Sequence, residues 1–282
     1  MIVRFEFTVV ISSDPSPLET LEYTGKLSKT ILAKLSPNLA VIYKRRQRGP
    51  PKPTMISPPL QPGTLNPLAP LIVSLTRPEP EDFTPTLIHD GRILIHASLP
   101  GNMIQHLPKP GTTATFKYKG HTVNVELEKI RAVTYTPPTP ETLERVTPTI
   151  TIITPYLPKD PYTHSKYSSF NLAPDTTLSI PAYITAKLLG RKRSLTRTLT
   201  TLRKCLILPH TGYCRLQKTW YLTRTHTGTL KPIPTLTGTL QYKLNTYDCK
   251  PPEQQLTKQI LHTAKTTGIG KSRTNGLGTL KP

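Results

Sequence analysis

The chain has 282 residues, with 37 Lys and Arg against 16 Asp and Glu, a formal net charge of +21 and a sequence pI near 10.0. Its length fits two domains of ordinary size or one large one, and its 32 prolines and 15 glycines stay below the content of a disordered low-complexity chain. No apolar run approaches the roughly 20 residues that span a bilayer, and the charged start, Met1 to Glu6, lacks the apolar core of a signal peptide, so a cytoplasmic protein without a membrane segment is expected.

The three cysteines, Cys205, Cys214 and Cys249, form no CxxC pair, so neither a disulfide framework nor a zinc site is expected. A four-ligand set with His210 fits no common spacing. No metal and no cofactor are predicted. Abundant threonine and proline favour strands and turns over a mostly helical protein.

Residues 2–10 alternate apolar and polar side chains for most of their length, which predicts a half-buried strand. A turn-rich break over 12–17 leads to a predicted helix over 18–35, stopped by Pro37. Leu27, Ile31 and Leu35 give that helix an apolar stripe. At about 100° per residue, Lys26 and Lys29 lie about 60° apart and nearly opposite the stripe. The Pro-rich stretch 49–62 carries Lys52, and 68–75 is a strand candidate. Asp90-Gly91 predicts a hairpin over 86–99, and Lys119-Gly120 a second one joining 112–118 to 121–135.

Pro137-Pro138-Thr139-Pro140 reads as a linker. Beyond it, 147–154 is a β-branched strand, and an interrupted helix opens at Ser179-Ile180-Pro181. Strands follow over 220–227 and 237–245, then a helix over 253–266, a glycine-rich loop and a short last strand. The fold class predicted is α+β, with tandem ferredoxin-like (RRM-like) domains over 1–136 and 141–282, the first without an evident second helix.

A charge of +21 attracts polyanions, and nucleic acid is the expected partner. The cations cluster in Lys44-Arg45-Arg46-Gln47-Arg48 and in Arg191-Lys192-Arg193, continued by Arg197, Arg203 and Lys204. Aromatics are only 6% of residues, which disfavours a stacking platform. The sharpest motif is Gly268-Ile269-Gly270-Lys271-Ser272-Arg273-Thr274-Asn275-Gly276-Leu277-Gly278. Its glycines permit tight turns and close approach, and its amides with Lys271 and Arg273 predict a phosphate-binding concavity. A P-loop is excluded, because Lys265 stands where its first glycine belongs and a helix precedes the loop. A dinucleotide fingerprint fails likewise. The acidic run Glu79-Pro80-Glu81-Asp82 reads as a solvated turn, and His164 and His262 as surface or packing histidines, with His164 kept as an outside candidate for catalysis.

Gly-φ-Gly, five residues with basic members, then Gly-φ-Gly after a helix resembles the signature loop of the CRISPR-associated RAMP proteins. More specifically, the chain resembles the endoribonucleases that cut CRISPR repeats in precursor RNA. Residues 224–228 through 236–242 are similar to that family's strand pair, Thr151 to Pro155 to the strand opening its second domain, and Tyr23 to Leu35 to its first helix. The resemblance implies a tandem ferredoxin-like fold and metal-independent cleavage of repeat RNA, leaving a 2′,3′-cyclic phosphate and a 5′-hydroxyl. Other CRISPR-associated proteins are further expected partners, and the protein is expected as a monomer or homodimer. Many members use a histidine near the first helix, but here no histidine precedes His89. A lysine-based version points to Lys26, Lys29 and Lys52, with Tyr23 orienting RNA. A lysine of ordinary pKa, about 10.4, stabilises phosphorane charge better than it abstracts a proton, and neighbouring cations lower that pKa. RNA-binding candidates are Gly268, Gly270, Lys271, Arg273, Gly276, Gly278, Arg45, Arg46, Arg191, Lys192 and Arg193. The other readings are a non-catalytic RAMP subunit holding guide RNA and an unrelated basic RNA-binding protein.

Overall fold

The structure, a computed structural model, describes residues 2–44, 54–134, 148–158, 161, 171–190, 195–208, 214–225, 227–273 and 276–281. In the first half, strand β1 (Ile2–Asp14) is followed by the short β2 (Leu18–Thr20), helices α1 (Gly25–Leu35) and α2 (Pro37–Lys44), and the short strands β3 (Met55–Ile56) and β4 (Ile72–Val73). Then come β5 (Thr86–Ile88), β6 (Gly91–Pro100), a 3-10 segment at Gly101–His106, β7 (Thr113–Tyr118) and β8 (His121–Thr134). The main sheet runs β3-β6-β1-β8-β7, and every neighbouring pair is antiparallel.

Period-two alternation sends Val3, Phe5, Phe7, Val9 and Ile11 of β1 to one face. They pack there with Ile93, Ile95, Ala97 and Leu99 of β6 and with Leu27, Ile31 and Leu35 of α1. The expected apolar stripe of α1 is therefore its core face. Pro37 ends α1 and opens α2. Lys119 and Gly120 both adopt positive φ (50° and 89°), the geometry of a tight hairpin turn, and join β7 to β8 as expected.

The second half holds β9 (Thr149–Tyr156), helices α3 (Pro174–Thr177), α4 (Ser179–Leu188) and α5 (Leu195–Cys205), β10 (Leu206–Ile207), β11 (Cys214–Arg224), β12 (Leu230–Gln241), β13 (Lys243–Leu244) and α6 (Pro251–Thr267). Its sheet runs β4-β11-β12-β9. Past the glycine loop the chain returns antiparallel to β9, with Leu280 opposite Ile152 and the Lys281 amide donating to Thr151 O. Across the unit's own strands the order is second, third, first, fourth, the ferredoxin-like arrangement. A separate apolar core lies between this sheet and its helices. The chain is thus α+β, with tandem ferredoxin-like units. Although β4 belongs to the first half of the sequence, it adds an edge strand to the second sheet through Ile72 and Val73. Among the described residues no helix is long and apolar enough to cross a membrane.

Three expectations are corrected. Residues 18–24 are not helical: Leu18 and Thr20 pair with Ile88 and Thr86, and the Tyr23 amide donates to Leu222 O of β11, so long-range backbone bonds outweigh local helix pattern. Asp90-Gly91 is not a hairpin turn. β5 pairs with β2 and β6 with β1, and the Asp90 carboxylate accepts hydrogen bonds from the Ser13 amide and the Ser16 hydroxyl. Cys205 and Cys249 form a disulfide that ties the end of α5 to the segment before α6, a pairing across 44 positions that no spacing rule indicates.

Candidate nucleic-acid interface

The glycine loop begins where α6 ends. Gly268 has φ +71° and its amide closes the helix on Ala264 O at 2.8 Å. The three preceding carbonyls are each taken by a side chain. Arg4 Nη1 donates to Lys265 O at 2.7 Å, the Ser98 hydroxyl donates to Thr266 O, and Arg273 Nη1 donates to Thr267 O at 2.8 Å. Two guanidiniums thus meet the negative end of the α6 dipole inside the protein. Burial pulls the Arg4 pKa down to about 9, against the partial opposition of Glu6, and the Arg273 pKa down to about 10. Arg4 Nη2 also donates to His96 Nδ1 at 2.6 Å, which leaves Nε2–H of His96 to donate to Glu6 at 3.1 Å.

Beyond Gly268 the loop is packed on both sides. A Cβ at Gly270 would stand 2.3 Å from Leu157 O and 2.6 Å from the Tyr156 ring, and one at Gly278 only 2.0 Å from Ile269 O. At Gly276 it would meet Gly25 Cα at 2.9 Å and the Tyr23 ring at 3.0 Å. The loop is therefore wedged between the end of β9 and the start of α1. The Tyr23 hydroxyl fastens it there, donating to Gly276 O at 2.7 Å, while the ring tilts against Tyr221 with centroids 5.0 Å apart. Burial, followed by the neighbouring Tyr221, pushes the Tyr23 pKa well above its ordinary value. Apolar contacts of Tyr23, Tyr221 and Leu277 seal this junction between the halves.

The sequence candidates fall into three groups. Tyr23 and Gly25 meet the glycine loop, while Lys26, exposed, and Lys29, half-buried, follow Gly25 in the first turns of α1. Lys26 Nζ lies 3.9 Å from Glu22. Tyr23 and Arg273 point inward, and the amides of Gly268, Ile269, Lys271, Gly276, Leu277 and Gly278 are all bonded to carbonyls of the chain itself. Lys271 is half-buried and Ser272 exposed, so these two form the loop's outer surface among the described residues. Lys52, Arg45, Arg46, Arg191, Lys192 and Arg193 lie outside the described residues, as does His164. Sequence reading missed Arg4, His96 and Ser98. Their only local trace is the polar even-numbered face of β1 and β6, where Arg4 stands opposite Ser98 and Glu6 opposite His96.

No family model and no curated protein matches the chain. Solved structures do match it along its whole length. Cas6 of Thermus thermophilus superposes with a TM-score of 0.52 at 15% identity, covering 99% of this chain and 97% of its own. A Cas6-related protein of Pyrococcus furiosus gives 0.53 at 13% identity, covering 100% and 98%. A Cas6 product complex gives 0.56 at 11% identity, covering 99% and 100%. At such identities the likeness concerns the fold, and the tandem ferredoxin-like architecture of this chain is the one found in Cas6 and RAMP proteins.

Proposed function

We propose that the protein is a metal-independent endoribonuclease that cuts CRISPR repeat RNA. The observation that carries this reading is the packed glycine loop, wedged against Gly25 and Tyr23 at the start of α1, the helix whose first turns carry Lys26 and Lys29. The full-length likeness in fold to Cas6 structures supports it.

In this reading the RNA supplies its own nucleophile. The 2′-oxygen bonds to the adjacent phosphorus and loses its proton, the P–O5′ bond breaks, and the leaving 5′-oxygen gains a proton. The products are a 2′,3′-cyclic phosphate and a 5′-hydroxyl. The protein holds the 2′-oxygen in line with the leaving oxygen and stabilises charge on the phosphorane. Lys26 and Lys29 supply that charge, with Lys52 as a third candidate from sequence. Tyr23 is a structural clasp, because its hydroxyl holds the loop, and Arg273 likewise secures the loop to α6. A second reading, a RAMP subunit that holds guide RNA without cutting it, is favoured by one observation: Tyr23 is turned away from solvent, leaving α1 to offer lysines alone among the described candidates.

Repeat RNA incubated with the protein in chelator separates the two. The enzyme reading expects cleavage, none when the nucleotide before the cut is 2′-deoxy, and a Lys29→Ala variant that cuts at least tenfold more slowly with nearly unchanged RNA affinity. Binding without cleavage would leave the guide-holding reading, and full-speed cutting by Lys29→Ala would remove that lysine from the mechanism.

A further inference from the structure

An open cleft of about 340 Å³ lies where β2, the β7–β8 turn and the end of β11 meet. Glu22 sits at its base with a side chain only 10% exposed. Lys119 Nζ approaches Glu22 Oε1 at 3.1 Å and Arg224 Nε donates to the same oxygen at 2.9 Å, while Lys26 lies 3.9 Å from Oε2. Three cations from three distant parts of the chain thus share one carboxylate. The other carboxylate lining the cleft, Glu19, is exposed and makes no ion pair among the described residues. Lys119 is held firmly: it also donates to the Thr20 hydroxyl at 2.8 Å and lies over the Tyr118 ring. Burial holds its pKa below the ordinary lysine value despite Glu22, and nearby Arg224 and Lys26 add to the lowering. An incoming anion would relieve that mutual repulsion.

His121 lines the same cleft. Its Nδ1 lies 2.7 Å from Pro15 O. A carbonyl only accepts, so Nδ1 carries the proton, and in the neutral ring Nε2 is a lone-pair acceptor. Nε2 has no hydrogen bond among the described residues. The cleft therefore combines cationic donors with one acceptor. Phosphate takes the donors, and a ribose 2′-hydroxyl, the group that distinguishes RNA from DNA, donates to the acceptor.

We infer that this cleft is a ribonucleotide subsite in which Lys119 and Arg224 hold a backbone phosphate and His121 Nε2 accepts the neighbouring 2′-hydroxyl. The inference rests on the reading of the chain as an RNA-binding protein. It adds a second anchor, continuous with α1 through the Lys26–Glu22 pair, that sets RNA apart from DNA away from the glycine loop.

Binding of a labelled single-stranded repeat RNA and of DNA of the same sequence, measured across salt concentrations, tests it. Lys119→Ala is expected to weaken both about tenfold and to reduce the salt slope by about 0.7, the loss of one phosphate contact. His121→Phe keeps the ring shape and is expected to weaken RNA alone, about fivefold, narrowing the preference for RNA. Glu22→Gln removes the competing carboxylate and is expected to tighten RNA binding about threefold, the size of a partly screened charge pair. Circular dichroism confirms folding, with Lys119→Gln in reserve should the alanine variant fail to fold. Unchanged affinity in Lys119→Ala, an unchanged RNA-to-DNA ratio in His121→Phe, or no gain in folded Glu22→Gln would overturn the subsite and leave the functional reading intact. Wild-type protein that binds neither nucleic acid would overturn both.

Discussion

Replacing Tyr23 by phenylalanine removes one oxygen from the junction between the glycine loop and α1. The ring stays against Tyr221 and keeps its contact with Gly276, so the perturbation is confined to the hydroxyl that donates to Gly276 O at 2.7 Å. Tyr23 is buried, and losing the donor withdraws a hydrogen bond from a carbonyl in the loop interior. Such a loss costs about 1–3 kcal/mol. At about 2–4 °C per kcal/mol for a protein of this size class, the thermal midpoint is expected to fall by roughly 2–12 °C, with a matching shift in the urea midpoint. Because that hydroxyl is committed to the loop, cleavage per folded molecule should stay within about twofold of wild type. A variant with unchanged stability that cuts tenfold more slowly would show that the hydroxyl faces RNA, and would refute the clasp.

Two further predictions follow from buried groups. His96 is held below its ordinary pKa of 6.5, chiefly by burial, so the unfolded chain takes up a proton that the folded chain resists. Stability present above 6.5 is then lost as pH falls through that value. Glu6, held below 4.5 first by the His96 hydrogen bond, extends the loss at lower pH. His96→Gln should flatten the first part of this decline, and urea midpoints that are equal for wild type between about pH 7.5 and pH 5.5 would contradict the buried neutral histidine. Reducing the Cys205–Cys249 disulfide opens a cross-link spanning 44 positions. In the chain-entropy account that lowers stability by about 4 kcal/mol, and a thermal midpoint indifferent to reductant would count against a formed disulfide.

What the sequence revealed and what it hid divide along contact range. The alternation of β1, the apolar stripe of α1, the Lys119-Gly120 turn and the approximate span of α6 are local patterns, and each is present in the structure. Residues 18–24 carried a misleading helical pattern because their backbone partners lie at Thr86, Ile88 and Leu222. Asp90-Gly91 looked like a hairpin because nothing local says that its flanking strands join different sheets. The candidate site shows the same division. The glycines marked a packed loop, since four positive-φ positions with no room for a Cβ leave a compositional trace. The direction of Arg273 left none. An arginine in a glycine loop reads the same whether it meets phosphate or, as here, a helix carbonyl inside the protein. The cluster of Glu22, Lys119 and Arg224 was equally silent, because its members stand about 100 positions apart and Arg224 joins the other two only across the junction of the two halves.

The most direct test of the account is the chemistry of the cut ends. Repeat RNA is incubated with the protein in chelator and the fragments are weighed by mass spectrometry. Attack by the RNA's own 2′-hydroxyl predicts a 5′ fragment ending in a 2′,3′-cyclic phosphate and a 3′ fragment beginning with a free 5′-hydroxyl. Fragments bearing a 3′-hydroxyl and a 5′-phosphate would mean that water attacked instead, and would contradict it.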